Sequence, residues 1–222
     1  MDGKEWFFKI DQSGIITKNL ILEACVETLE EAVAAERRGA NRIELCSALD
    51  QDGLTPTPEI TMRCLEHLTI PIMAMVRPRG GDFVYSENEI RQMETNIEFF
   101  KLAGVSGVVF GLLTKDGEID LENTRRLAKL AFPLEVTFHK AIDDTTDILK
   151  SFHQLNAIDG INRVLTSGGK DTAWNGRSII KAINELPGRR IQIIAAGKIV
   201  PENRVQIAEF TGVMELHGKR IV

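Results

Sequence analysis

The sequence predicts a (β/α)₈ barrel, a TIM barrel closed by eight parallel strands. Eight short apolar strand-like runs alternate with seven helical segments between Leu20 and His217. Strict alternation of this kind implies parallel strands joined by crossover helices. Eight such units suit a closed barrel better than an open sheet. The first strand–helix turn, ACVETLEE, also lacks the GxGxxG glycines of a dinucleotide-binding open sheet. A length of 222 residues fits one such domain, and no low-complexity linker or composition break divides it.

Each element has a local reason. Strand one covers Leu20–Cys25, and Thr28 with Glu31 forms a capping box for the helix that Gly39 stops. Strand two is Arg42–Cys46. After the GLTPTP turn, Thr57 caps a helix with Pro58 at its first position. Strand three is Ile72–Val76. Ser86 and Glu89 give a second capping box, for a long helix that runs to Gly104. Strand four is Gly107–Phe110, and its helix runs from near Asp120 to just before Pro133. Strand five is Leu134–His139, with a helix over about 146–155; strand six is Arg163–Thr166, with a helix over about 172–186. Strand seven is Arg190–Ala195, its helix opening at Pro201, and strand eight is Val213–His217.

Residues 1–19 stand outside the repeat as an N-terminal extension. FFKI and IITK flank DQSG, which predicts a small hairpin or an arm ahead of the single domain at 20–222. The chain ends soon after strand eight, so a full eighth outer helix is not expected. Residues 1–19 or a second subunit are expected to cover the gap, which favours a homo-oligomer, with a dimer first.

The bulk properties exclude several classes. The net charge is −5 and no basic stripe is present, which argues against nucleic acid as a partner. No apolar run is long enough to span a bilayer. Three cysteines without framework spacing are expected to be reduced thiols in the cytoplasm.

The chemistry lies at the strand ends. Residues two apart in a strand share a face. Glu23 with Cys25, Glu44 with Cys46, Met75 with Arg77, Thr137 with His139, and Glu215 with His217 therefore point the same way. In a (β/α)₈ barrel such residues converge on the C-terminal rim, where active sites are built. Buried charges there need partners, and Arg77 and Arg79 are expected to balance the carboxylates.

The stretches LEACVETLEEAVAAERRGANRIELCSAL, DGLTPT, VRPRGGDFVYSENE, GVVFGLLTKDGEID, VTFHKAID, RVLTSGG and TGVMELHG, spread over about residues 20–218, carry a family resemblance. The chain resembles the copper homeostasis protein CutC family, whose fold is a TIM barrel. The resemblance implies a Cu(I) site on Cys25 and Cys46, the cysteines of LEAC and IELC. Cu(I) is soft and prefers thiolate or thioether ligands, and Met75 could add a thioether by parity. Cys64 is expected to serve packing. The chain departs from the family pattern at Lys140, where arginine is common, at AAGK (195–198), which is less glycine-rich, and in its early end.

A second reading is an enzyme acting on a small anionic, or phosphorylated, metabolite at the same rim. Arg77 and Arg79 suit a carboxylate or phosphate. The turn Thr166, Ser167, Gly168 and Gly169 could cradle an anion with backbone N–H groups. Glu44 and His139 are the candidate acid–base residues, His139 pairing with Glu44 or Glu215, while Glu215 and His217 would bind ligand. Lys140 should face away from the axis and Lys198 lies in a loop, so covalent catalysis is not expected. No organic cofactor is implied.

Overall fold

The computed structural model describes residues 20–222 and, ahead of them, residues 9–10 and 16–17. Eight parallel strands form a closed barrel: β1 (Ile21–Val26), β2 (Arg42–Leu45), β3 (Ile72–Met75), β4 (Gly107–Phe110), β5 (Glu135–Phe138), β6 (Arg163–Thr166), β7 (Gln192–Ala195) and β8 (Glu215–Gly218). Closure comes from β8 pairing with β1, Leu216 opposite Leu22 and His217 opposite Glu23. The expected (β/α)₈ barrel is the fold of this chain.

Seven α-helices cover the outside: α1 (Leu29–Arg37), α2 (Pro58–His67), α3 (Glu87–Ala103), α4 (Leu121–Ala131), α5 (Ile148–Asn156), α6 (Ala173–Asn184) and α7 (Arg204–Thr211). Both capping boxes form as the sequence indicates, Thr28 with Glu31 and Ser86 with Glu89. Asp120, Asp147 and Thr172 each accept a backbone N–H at the start of α4, α5 and α6. The seventh helix opens later than Pro201. Asn203 accepts from Val200 N–H and donates to Lys198 O, which holds residues 200–203 in a turn and delays α7 to Arg204. Two 3₁₀ turns escaped the sequence reading, Leu49–Gln51 and Lys140–Asp144, both in loops at the C-terminal rim.

The alternation of each strand sorts its side chains into two cores. Even-numbered residues of β1 with their counterparts around the sheet (Ala24, Ile43, Ala74, Val108, Phe138, Val164, Ile193, Leu216) pack outward against the helices in one large cluster. The opposite parity fills the barrel with two small apolar groups, one of Cys25, Cys46, Met73, Met75 and Val109, the other of Leu165, Ile194 and Ala196. Polar side chains occupy the rest of the interior.

Among the described residues no helix follows β8. The last residues fold back on the barrel: Ile221 is buried, its carbonyl accepts from Arg204 Nη1, and Val222 packs against the main core. Lys9–Ile10 and Ile16–Thr17 pair as antiparallel two-residue strands. Whether residues 1–19 or a second subunit cover the outer layer is a matter outside the described residues. No helix among the described residues is long and apolar enough to cross a membrane.

Candidate functional site

The C-terminal rim holds a cavity of about 300 Å³, lined by Cys25, Glu44, Met75 and His217 from β1, β2, β3 and β8, by Arg77 and His139 just past β3 and β5, and by Leu49, Asp52, Phe83, Lys140, Asp144, Leu165 and Lys219 from the loops and from β6. Strand register makes the convergence. Cys25 stands opposite Glu44, and Glu23 opposite Arg42. Cys46 follows one step past β2, so the two thiols sit diagonally across neighbouring strands, with sulfurs 3.9 Å apart. Cys46 Sγ also lies 3.6 Å from Glu44 Oε2. Cys25, Cys46 and Glu44 each offer one ligand atom within 4.8 Å of the others. Cys25 faces the cavity, and Cys46 lies behind it, 1% exposed. All three cysteines are unpaired, and Cys64 is buried on α2, away from this rim.

Beneath the thiols runs a buried charge network. Arg42 is ion-paired with Glu23, and its Nη2 donates to Glu215 Oε2 at 2.6 Å. Arg163 Nε donates to the same Glu215 oxygen at 3.1 Å. His217 Nδ1 is 2.9 Å from Glu23 Oε1, and its Nε2 is 3.6 Å from Glu44. Glu23 and Glu215 are therefore balanced by Arg42 and Arg163, not by Arg77 and Arg79 as expected from the sequence. Both arginines begin their strands on the interior parity of Glu44 and Leu165, and that parity was the signal available in the sequence.

The network sets proton affinities. Burial works against a charge on Glu23, but Arg42 and His217 outweigh it and hold the carboxyl at about 2. Glu44 lacks an arginine, and burial pushes it well above the ordinary carboxylate range. Burial opposes a proton on His217 too, yet Glu44, Cys25 and Glu23 around it raise it well above the usual imidazole value. The Cys46 S–H hydrogen bond draws Cys25 well below an ordinary thiol, and the same bond with burial pushes Cys46 up. Cys25 is thus the more readily ionised thiol of the pair.

The RPRGGDF arginines part company. Arg77 lines the cavity and crosses the rim, donating to the carbonyls of Gln51, Gly53 and Gly81, with its guanidinium 4.8 Å from the Phe83 ring centre. Arg79 lies outside the cavity. It pairs with Glu89 at 2.6 Å and Asp82 at 2.9 Å and stacks on Tyr85. Its role is to tie the loop to the start of α3.

The turn after β6 holds an anion, but the anion is its own. Ser167 N–H donates to Asp143 Oδ2, Gly169 N–H to Asp143 Oδ1, and Gly168 N–H to Thr166 Oγ1. Thr166 and Ser167 also send their hydroxyls to Asp143. A carboxylate from the Lys140–Asp143 turn therefore fills the cradle expected to receive a ligand, and none of residues 166–169 lines the cavity. Lys140, expected to face away, ion-pairs with Asp143 at 2.7 Å, bonds Ser167, and contributes to the cavity wall. Lys198 lies in the loop after β7 and lines a separate surface pocket with Thr172 and Trp174.

His139 has no carboxylate partner, contrary to the expected pairing with Glu44 or Glu215. Its Nδ1 accepts from Ala141 N–H, so the neutral ring carries its proton on Nε2. Burial, with Arg77 and Lys140 nearby, lowers its pKa to about 3. Glu215 lies below the cavity, committed to its two arginines, while His217 reaches the cavity wall.

Comparisons with known proteins give the family and the fold. The model of the CutC family matches residues 20–222. The chain belongs to the CutC family. It is 43% identical over 197 residues to the human copper homeostasis protein cutC homolog, covering 89% of this chain and 72% of that protein. A crystal structure of CutC from Streptococcus agalactiae superposes with a TM-score of 0.86 at 33% identity, covering 91% of this chain and 100% of that one. A phosphonomutase structure from Burkholderia cenocepacia reaches a TM-score of 0.64 at 14% identity, over 89% and 86% of the two chains, which is a likeness of fold alone.

Proposed function

We propose that this CutC chain binds Cu(I) as cargo through Cys25 and Cys46. The observation that carries the reading is the pair of thiols 3.9 Å apart with Cys25 open to the rim cavity. Two metal–thiolate bonds of about 2.3 Å span that separation, and the sulfur cluster is the soft environment Cu(I) prefers. Met75, in the same cluster and on the cavity wall, is the third sulfur available to the ion. The reading requires reduced thiols, hence a reducing compartment such as the cytoplasm. It is further supported by relatives named for copper homeostasis.

Anaerobic Cu(I) titration against a chromogenic chelator tests it. The parent protein and a Cys64→Ala variant are expected to withdraw one equivalent of Cu(I), and the Cys25→Ala/Cys46→Ala variant none. Equal uptake by the double variant would overturn the reading.

A second reading, binding of a small anionic metabolite at the same rim, is favoured by the cavity itself. Its volume of about 300 Å³ lies in the range of small-molecule pockets and far exceeds the need of one ion.

A further inference from the structure

The interior of this barrel satisfies its charges closely, so the polar atoms left without partners stand out. On the wall of the rim cavity there are two such donors. Arg77 Nε and His139 Nε2 are both buried and, among the described residues, both lack a hydrogen-bond partner. The residues themselves are 4% and 5% exposed. Unmet donors at this depth are costly and mark a place for a missing acceptor. Phe83 touches both residues, with its ring centre 4.8 Å from the Arg77 guanidinium and 4.9 Å from the His139 ring. The Ala141 N–H on Nδ1 fixes His139 as an Nε2–H donor.

We propose that Arg77 and His139 form the head-group subsite for a small monocarboxylic acid, whose apolar body lies on Met75, Phe83 and Leu165. The proposal rests on the small-molecule reading of the cavity and names its ligand class. Two N–H donors suit the two oxygens of a carboxylate. Phosphate needs more donors, and the glycine-turn N–H groups that would supply them are already bound to Asp143. Asp52 and Asp144 on the cavity wall offset Lys140 and Lys219 on the same wall, so the lining leaves Arg77 to answer a single negative charge on the ligand. The apolar lining favours a short hydrocarbon or aromatic body over a polyhydroxylated one.

Calorimetric titration and thermal shift of the metal-free protein test this with acetate, pyruvate, isovalerate and benzoate. Succinate, inorganic phosphate and glycerol 3-phosphate form the contrasting arm. At least one monocarboxylate is expected to bind saturably, with stabilisation growing with the logarithm of its excess, and the phosphates are not. His139→Asn keeps an oxygen for Ala141 N–H but loses the Nε2 donor. It is expected to weaken binding about tenfold or more, the worth of one hydrogen bond to a charged group. Arg77→Lys, which removes the Nε donor and keeps the charge, serves if the first variant misfolds. Phosphate binding in preference to carboxylates overturns the proposal. Carboxylate affinity unchanged in both folded variants rejects the subsite and leaves the small-molecule reading standing. No saturable binding by any compound, the outcome for a pocket filled by water, rejects both.

Discussion

His139 and Arg42 show what burial demands of a single side chain. The folded protein keeps His139 neutral down to about 3, whereas an unfolded histidine takes its proton near 6.5. Between those values the unfolded chain binds more protons. This contribution to stability is therefore complete above about 6.5 and is lost as pH falls toward 3. Urea melts of the parent and His139→Asn are expected to show it in their difference. The parent should lose about 2 kcal/mol relative to the variant between pH 6.5 and 5; a difference that stays constant with pH contradicts the assignment. Arg42 poses the opposite problem, a charge that must stay. It neutralises Glu23 and Glu215, all three buried. Arg42→Met leaves Glu23 only His217 and Glu215 only Arg163 and is expected to cost about 3–5 kcal/mol. Arg42→Met/Glu23→Gln should recover part of that loss in denaturant melts, and equal losses would mean that the pair is not coupled.

At the scale of the element, the sequence was most legible where local chemistry decides. Thr28, Thr57 and Ser86 cap the helices they were expected to cap, because each places an oxygen over an unpaired N–H of the first turn. Strand parity was equally legible, and it brought Cys25, Glu44, His139 and His217 to one cavity. What parity leaves open is the partner. Whether Glu215 meets Arg77 or Arg163 depends on barrel register across nonadjacent strands, which no local pattern encodes. The turn after β6 shows the same limit: its glycines read as an anion cradle, but the occupant, Asp143, comes from the loop after β5. That turn also packs backbone to backbone on α6. A Cβ on Gly176 would strike the Ser167 carbonyl, and one on Gly168 would strike Gly176. Gly176→Ala is expected to cost at least about 1–3 kcal/mol and to raise the exchange rate of the Ser167 and Gly169 amides. A variant as stable as the parent would show that α6 moves away freely.

At the scale of the whole molecule, closure makes the site. An open sheet would leave β1 and β8 as edges; here their pairing sets His217 opposite Glu23 and delivers both to the network under the thiols. Alternation of strands and helices foretold that closure, since it is a property of the entire chain. The outer layer was legible to the same extent: seven helices were expected and seven are described. The closed barrel thus sets Cys25 on the rim cavity with Cys46 directly behind it. Copper K-edge X-ray absorption of the protein loaded with one equivalent of Cu(I) tests this most directly. The account predicts sulfur neighbours that vanish in the Cys25→Ala/Cys46→Ala variant. A spectrum dominated by nitrogen or oxygen neighbours, or one that the double substitution leaves unchanged, would contradict it.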